Sequence, residues 1–189
     1  MAPLQQYLQT YFGVQSDQLP ELSSLFVTEQ LEKGDFFVRQ GQYCRKMSFV
    51  KSGYLRISAQ VEDKEVTQWI AERDYFVTDL ASFLLQTPAR WQIQALTPVE
   101  LFSISFDHYQ KIHEVLPTWP QIEKQFLTHC FITLENRVFS FLSMSAQERY
   151  EQLFQESPTL FNHVPLHYLA SMLGMTPETF SRIRKNLSA

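Results

Sequence analysis

Three charged side chains near the end of the chain lie at spacings that would place them on one face of a helix. Glu178, Arg182 and Lys185 follow one another at intervals of four and three residues, with Ser181 beside them. An arginine here can donate two hydrogen bonds to guanine, and a glutamate can accept one from the cytosine amine. Lys185 and the neighbouring Arg184 are suited to phosphate contacts, which position a protein on a duplex without reading its sequence. The pattern therefore predicts a helix whose polar face reads double-stranded DNA.

A helix that begins just after Thr176 would present this face. Threonine is a good N-cap, and Pro177 suits the first helical position. Phe180, Ile183 and Leu187 recur at helical spacing and predict the buried stripe of the same helix. The residues expected to contact DNA are Thr176, Glu178, Thr179, Ser181, Arg182, Arg184 and Lys185.

A shorter helical pattern precedes this helix. Leu169, Met172 and Leu173 supply its apolar contacts, and the small Ala170 allows a second helix to cross closely. Gly174 can adopt the left-handed conformation that a tight turn requires. Two short helices around such a turn are typical of a helix-turn-helix, whose second helix enters the major groove. The alternative is an amphipathic helical hairpin that only caps a core.

Charge is distributed unevenly along the chain. The chain of 189 residues has a formal net charge of −4, but the segment from Thr176 onward carries three cations and one acid, leaving +2 there and −6 elsewhere. A basic reading helix on an acidic body is compatible with DNA binding and predicts modest non-specific affinity.

Cys44 and Cys130 lie far apart in sequence, which indicates free thiols in a reducing cytosol. We expect neither a membrane span nor a signal peptide, because the chain has no long apolar run and its first residues lack basic and apolar regions.

The middle of the chain has a different period. Alternating apolar and polar residues between Thr28 and Ser105 predict short strands, with turn signals at Gly34, Gly41 and Gly53. Strands at this spacing are typical of a sandwich or barrel. Helical spacing of apolar residues predicts further helices over residues 4–12, 18–26, 79–85, 107–115 and 146–155.

Pro120 opens a long helical pattern that reaches about Met144. Apolar residues within it step by four and three, which is the heptad spacing of a helix that pairs with a second chain. This seam consists of Leu127, Phe131, Leu134, Val138 and Phe141. The alternative is a helix that packs only on its own barrel. Since Phe126, Cys130 and Phe139 lie off the seam, we expect both kinds of contact.

The order of these parts resembles the cyclic-AMP receptor and fumarate–nitrate regulator superfamily. The resemblance covers nearly the whole chain and is carried by residues 36–54, 74–105 and 164–187, with turns at Arg39-Gln40-Gly41 and Lys51-Ser52-Gly53. It implies an α+β fold with an N-terminal β-roll of the cyclic-nucleotide-binding jelly-roll type, flanking helices, a long dimerisation helix and a C-terminal helix-turn-helix. It also implies a cytoplasmic homodimeric transcription regulator that binds DNA, contacts RNA polymerase and responds to a small-molecule effector. The corresponding domains are residues 1–117, 118–144 and 145–189.

The end of the chain departs from the family's pattern in two respects. The family's reading helix has an arginine, a glutamate and a second arginine four residues later; Glu178 and Arg182 match, but Pro177 replaces the first arginine. Family members also carry a β-wing after this helix, and because the chain ends at Ala189 we expect no wing. We therefore expect a different DNA half-site and a stronger dependence of DNA affinity on dimerisation.

The effector pocket that the resemblance implies departs further. The family's phosphate cassette has Gly-Glu-Leu and then an arginine with serine or threonine; the corresponding segments here are Thr78-Asp79-Leu80 and Ala89-Arg90-Trp91. Ala89 stands where the arginine belongs, and a shift of one residue on a strand places Arg90 on the opposite face unless a bulge restores it. An anionic phosphate without a cation would be poorly bound, so we expect no cyclic AMP binding of the usual kind and no other cofactor or metal. The residues expected around the pocket are Phe76, Thr78, Asp79, Leu80, Ala89, Arg90, Trp91 and Glu135.

Two other functions are open at this point. A small β-roll can hold a metal, as in cupin-like enzymes, but His108, His113, His129, His163 and His167 all lie outside the predicted strands. The sequence contains no P-loop, nucleophile motif or paired catalytic carboxylates, so we expect no enzyme. The second alternative is an effector-sensing or protein-interaction module with a weak or lost DNA-binding role. The intact charged face at the end of the chain argues against that loss.

Overall fold

Two four-stranded antiparallel sheets pack face to face and form a β-roll. The computed structural model describes residues 2–187. The strands are β1 (Val27–Leu31), β2 (Phe36–Val38), β3 (Lys46–Ser52), β4 (Leu55–Val61), β5 (Lys64–Ala71), β6 (Phe76–Val77), β7 (Gln92–Ala95) and β8 (Val99–Ser105). One sheet has the order β1-β8-β3-β6 and the other has the order β2-β7-β4-β5, which leaves β5 at an edge.

Helices precede and follow the strands of the roll along the chain, and one lies between β6 and β7. They are α1 (Ala2–Phe12), α2 (Leu19–Ser24), α3 (Leu80–Leu85), α4 (Phe106–Gln110), α5 (Ile112–Val115), α6 (Trp119–Ser143), α7 (Ala146–Glu156), α8 (Leu160–His163), α9 (Leu166–Met172) and α10 (Pro177–Leu187). The predicted α+β fold, with a jelly-roll followed by a long helix and further helices, is confirmed.

The interior of the roll is apolar because alternate residues of each strand face inward. Leu55 and Ile57 of β4 meet Ile93 of β7, Val50 of β3 and Leu101 of β8 in one buried cluster. A second cluster lies outside the first sheet, where α1 and α2 pack against β3 and the start of α6. These two clusters bury most of the apolar residues of the N-terminal half and fix the curvature of the roll.

The long helix α6 begins beside the roll and leaves much of its length uncovered. Trp119 and Phe126 pack into the cluster with α1, as expected for the face that covers the roll. The side chains of the predicted seam lie on the other face, where Phe131 is 67% and Val138 is 59% exposed. Phe139, which lies off the seam, is also 68% exposed, so the apolar surface of α6 is wider than the heptad pattern alone predicts.

Three local predictions differ from the structure. The single helix predicted over residues 107–115 is divided into α4 and α5 at Lys111, whose backbone N–H bonds to His108 and starts a new turn. The short elements β6 and α8 were not predicted, because two and four residues are too few to show a period. Leu187, expected in the buried stripe of α10, is 46% exposed because it lies in an open groove lined by Phe154 and Phe161.

Candidate nucleic-acid interface and effector site

The last helix, α10, separates a buried apolar side from an exposed charged side. Phe180 is fully buried among Tyr150 and Phe161, and Ile183 is buried one turn later. Thr176 acts as the N-cap, since its Oγ1 accepts a hydrogen bond from the Thr179 N–H at 3.3 Å. The exposed residues of α10 include Glu178, Ser181, Arg182, Arg184 and Lys185. The polar residues chosen from the sequence therefore share an accessible surface.

Glu178 lies in the first turn of α10. A hydrogen bond from its own backbone N–H and one from the Thr176 hydroxyl hold the pKa of its carboxyl below the ordinary value. The carboxyl is consequently ionised at neutral pH, where the positive end of the helix dipole also favours negative charge. An ionised carboxylate at this position can accept a hydrogen bond from a base amine.

The turn between α9 and α10 is tight and is held from outside. Gly174 has a φ of +66°, the left-handed conformation expected from the sequence. The Met175 N–H donates to the Ala170 carbonyl at 3.0 Å, which closes the turn. Two arginines, Arg137 of α6 and Arg149 of α7, donate to the carbonyls of Met172 and Leu173 at 2.7 and 3.1 Å. The C-terminal carbonyls of α9 are thus satisfied by guanidinium groups from two other helices.

Helix α9 packs on the outer face of the second sheet. Ile70 of β5 belongs to the same buried cluster as Leu169 and Met172 of α9. At the sheet edge the Thr67 N–H donates to Ser171 Oγ at 2.9 Å. These contacts join the α9–α10 unit to the roll, and no local pattern could predict them, because they connect residues about a hundred positions apart.

At the predicted effector site, Asp79 has a structural role. Its Oδ1 accepts from the Ser82 N–H at 2.9 Å and its Oδ2 accepts from the Trp91 N–H at 3.0 Å, while the residue is 2% exposed. Asp79 therefore caps α3 and fixes the start of β7. Both carboxylate oxygens are engaged by the backbone, which disfavours the ligand hydroxyl contact that the family pattern implies.

Ala89 and Arg90 face opposite sides of the chain at this point. Ala89 is buried in the cluster inside the roll, whereas Arg90 is exposed with its guanidinium 5.5 Å from the centroid of the Trp91 ring. Trp91 itself packs against the apolar cluster of the roll. No bulge therefore returns Arg90 to the interior, and the interior at this position is lined by an alanine and an indole.

The remaining residues predicted around the pocket are dispersed. Phe76 packs edge-on against Phe126 of α6 with ring centroids 4.7 Å apart, and Leu80 lies half-buried in α3. Thr78 Oγ1 donates to the Lys46 carbonyl at 3.0 Å. Glu135 is exposed on α6. The structure thus joins Asp79 and Trp91 by a direct hydrogen bond. The other residues predicted around the pocket do not converge on a common space.

The histidines and acidic residues of the described chain, residues 2–187, do not form a metal site. Within that range no three His, Cys, Asp or Glu side chains are grouped as metal ligands. His163 stacks on Tyr54 with ring centroids 5.2 Å apart, and its Nδ1 lies 2.9 Å from the Thr159 carbonyl. None of the helices in the described part of the chain combines the length and apolar character needed to cross a bilayer.

The β-roll, the long helix and the terminal helices together define a class of protein by its fold, in which an antiparallel jelly-roll is followed by a helical C-terminal part. Residues 28–114 match the family model of the cyclic nucleotide-binding domain. No curated protein matches the chain by sequence. The chain has the fold of the cyclic-AMP receptor and fumarate–nitrate regulator superfamily, so the resemblance drawn from the sequence is confirmed at the level of fold.

Three solved structures illustrate this similarity. The c-di-GMP responsive global regulator CLP of Xanthomonas campestris superposes with a TM-score of 0.70 at 17% identity, covering 92% of both chains. The catabolite activator protein of Thermus thermophilus gives 0.59 at 20% identity, covering 96% of this chain and 86% of that one. FixK2 of Bradyrhizobium japonicum gives 0.70 at 13% identity, covering 86% and 84%. At these identities the likeness concerns the fold.

Proposed function

We propose that the protein is a homodimeric, DNA-binding transcription regulator whose roll does not bind cyclic AMP in the usual way. The observation that carries this proposal is the division of α10 into a buried side and an exposed side with Glu178, Arg182 and Lys185. A charged outer face is common on surface helices, but here it follows a tight α9–α10 turn and places an acceptor and two cations at intervals of four and three residues. That face has the hydrogen-bonding groups that the major groove requires.

Within this proposal the four charged residues of α10 have two different roles. Arg182 reads guanine through two hydrogen bonds, and Glu178 accepts from a cytosine amine. Lys185 and Arg184 contact phosphates, together with the hydroxyls of the first turn of α10. The α9–α10 pair, with its glycine turn, is the helix-turn-helix of this regulator.

Dimerisation would proceed through α6. In the seam of Leu127, Phe131, Leu134, Val138 and Phe141, the middle three residues are 49–67% exposed, and Leu142 beside them is 82% exposed. Leu127 is half-buried, and Phe141 also packs against the guanidinium groups of Arg137 and Arg149. Pairing two such seams would remove them from water and place two reading helices on one duplex. In this arrangement residues 1–117 form the roll domain, 118–144 the dimerisation helix and 145–189 the DNA-binding domain.

The contacts of Asp79, Ala89 and Arg90 support a degenerate nucleotide site. A cyclic phosphate placed inside the roll would meet Ala89 and lose its water without gaining a cation, which is unfavourable. We therefore expect cyclic AMP at micromolar concentration to leave the melting temperature unchanged. A clear rise in that temperature would contradict this part of the proposal. The free thiols of Cys44 and Cys130 are consistent with the reducing cytoplasm, where such a regulator would contact RNA polymerase.

Selection of bound sites from random double-stranded DNA tests the function. Arg182→Ala should lose discrimination at one base pair of the selected site, worth about 1–3 kcal/mol. Lys185→Ala should weaken binding to all sequences and reduce the dependence of log affinity on log salt by about 1. Lys111→Ala, which removes an exposed cation from the roll side, is the matched control and should change neither.

Two outcomes would overturn the proposal. One is that no DNA sequence is enriched by the purified dimer. The other is that both α10 variants retain DNA as the native protein does. Either result would favour a module that senses an effector or binds another protein without reading DNA.

A further inference from the structure

A cavity of about 290 Å³ lies where the roll, α6, α7 and the end of α9 meet. Its walls include the aromatic residues Trp69, Tyr75 and Phe141 and two arginines, Arg137 and Arg149. The cavity is separate from Asp79, Ala89 and Arg90, around which the sequence predicted the effector site. Aromatic walls with convergent cations are the usual composition of a site for a small organic anion.

Arg137 is held between two aromatic rings. Its guanidinium carbon lies 4.8 Å from the centroid of Trp69 and 5.3 Å from that of Phe141. Nη2 donates to the Met172 carbonyl at 2.7 Å. Burial lowers the pKa of the guanidinium to about 10, which leaves it charged at neutral pH. A charged group that has lost water gains more from an anion than an exposed one does.

Arg149 adds a second positive charge to the same space. Its guanidinium carbon lies 4.9 Å from the Phe141 centroid, while Nε and Nη1 donate to the carbonyls of Leu173 and Met144 at 3.1 and 2.7 Å. Neutral carbonyl groups accept these hydrogen bonds, so they leave the charge uncompensated. Within residues 2–187, neither Arg137 nor Arg149 forms an ion pair.

Two carboxylates at the cavity wall are engaged elsewhere. Glu72 accepts hydrogen bonds from the hydroxyls of Ser157 and Thr159 at 2.6 and 3.2 Å. Glu156 accepts from the Gln152 amide at 2.7 Å. These neutral donors orient the two carboxylates without removing their charge, so the cavity wall has two cations and two anions. No ion pair joins the two sets in the described residues, and the guanidinium of Arg137 lies between Trp69 and Phe141.

We propose that this cavity binds a small organic anion with a single planar ring system, whose carboxylate or phosphate head pairs with Arg137 and whose ring packs against Trp69 and Tyr75. Arg149 supplies a second positive charge close to the head. The volume is near the lower limit of ligand pockets, roughly 300 Å³, and it suits a single ring system better than a dinucleotide. The binding step would hold even for a protein that does not read DNA.

Binding of an anion in this cavity would also change the contacts of α9. An anion on Arg137 or Arg149 competes for the N–H groups that now hold the Met172 and Leu173 carbonyls, so it would alter how the end of α9 is anchored. This second step rests on the proposed function, because its effect would be a changed DNA affinity. Its failure would leave the binding step intact, since binding is measured on the protein without DNA.

The test uses benzoate, phenyl phosphate and the neutral isostere benzamide as probes of the full-length protein. Benzoate or phenyl phosphate should shift the indole N–H resonance of Trp69 in a saturable manner, and benzamide should not. The preferred head group is whichever anion binds more tightly. Arg137→Gln should weaken the anion by about tenfold or more, the loss expected for a charge-assisted hydrogen bond. Arg45→Gln, an exposed arginine outside the cavity, should bind as the native protein does.

Three results would overturn the proposal: no saturable shift with either anion, equal binding of benzamide, or unchanged affinity in Arg137→Gln. Should Arg137→Gln fail to fold, the comparison of anion with benzamide still decides the matter in the native protein. Arg137→Lys then serves as the variant, because it keeps the charge and loses the planar fork. The affinity of Arg137→Lys for the anion should be lower than that of the native protein for the anion. It should be higher than that of the native protein for benzamide.

Discussion

The guanidinium carbon of Arg56 lies 3.7 Å from the centroid of the Tyr168 ring, and this contact joins the roll to α9. Arg56 is 2% exposed, and its Nε and Nη1 donate to Thr67 Oγ1 and Glu65 Oε2 at 2.9 and 2.7 Å. Strand β5 therefore holds the guanidinium group in place, and the face of that group packs against the Tyr168 ring. The position of the α9–α10 unit on the roll depends in part on this pair.

Replacing Tyr168 by leucine should loosen that attachment. The loss of a partly buried cation–π contact is worth about 1 kcal/mol. The expected result is faster hydrogen exchange at the Thr67 amide, which donates to Ser171 of α9. Tyr168→Phe keeps the ring face and should retain the native exchange rate. Equal exchange in the leucine and phenylalanine variants would show that the ring contact does not anchor α9.

Glu65 should make the stability of the protein depend on acid pH. Burial alone raises the pKa of its carboxyl, but the hydrogen bond and charge of Arg56, with hydrogen bonds from Ser58 and Gln92, hold it below the ordinary value of 4.5. A carboxyl whose folded pKa is lowered adds stability above the unfolded pKa and loses it as pH falls through the folded pKa. The contribution of Glu65 is therefore complete at neutral pH and disappears below pH 4.5.

Urea unfolding of Glu65→Gln at several pH values tests this dependence. At neutral pH the variant should be less stable by roughly 1–3 kcal/mol, because the buried Arg56 loses its charged partner. The difference between native and variant should shrink as the pH falls through the acid range. Glu62→Gln, an exposed glutamate in the adjacent turn, is the control and should follow the native curve. A difference that stays constant with pH would exclude the ion pair as its source.

Gly174→Ala should destabilise the α9–α10 unit for two reasons. A left-handed residue other than glycine costs roughly 1–2 kcal/mol, and a Cβ at this position would lie 2.6 Å from Cε1 of Phe141. Gly41→Ala isolates the first effect, since Gly41 also has a positive φ but nothing lies within 4 Å of its Cβ. The free energy of unfolding should therefore fall further for Gly174→Ala than for Gly41→Ala. Equal losses would mean that Phe141 moves aside at no cost.

The exposed seam of α6 should control the oligomeric state. Leu134→Asp or Val138→Asp places a charge in the predicted dimer interface and should yield monomers in sedimentation velocity experiments. His129→Asp introduces the same group at an exposed position off the seam and should leave a dimer. A dimer that survives both seam variants would require an interface elsewhere on the molecule.

Local patterns in the sequence predicted the elements that position the candidate site. The two-residue period of the strands, the heptad steps of α6 and the division of α10 between Phe180 and Glu178 follow from residues within one or two turns of each other. The orientation of Ala89 and Arg90 could be predicted in the same way, because adjacent residues of an extended chain face opposite sides. The burial of Leu187 was predicted wrongly because it depends on how closely α7 and α8 approach α10, which no local period records.

The sequence by itself determined that α10 presents a carboxylate and cations on one side, since helical geometry alone brings Glu178 and Arg182 together. Only the tertiary structure decided that Arg56 meets Tyr168, that both oxygens of Asp79 cap backbone groups, and that Arg137 faces a cavity with Arg149. Apart from the bond of Asp79 to Ser82 at the start of α3, these contacts connect different elements, and Arg56 and Tyr168 lie on opposite sides of the chain's midpoint. Their partners are set by how the roll and the helices pack, and a charged residue in an apolar helix gives no sign of its partner until that packing is known.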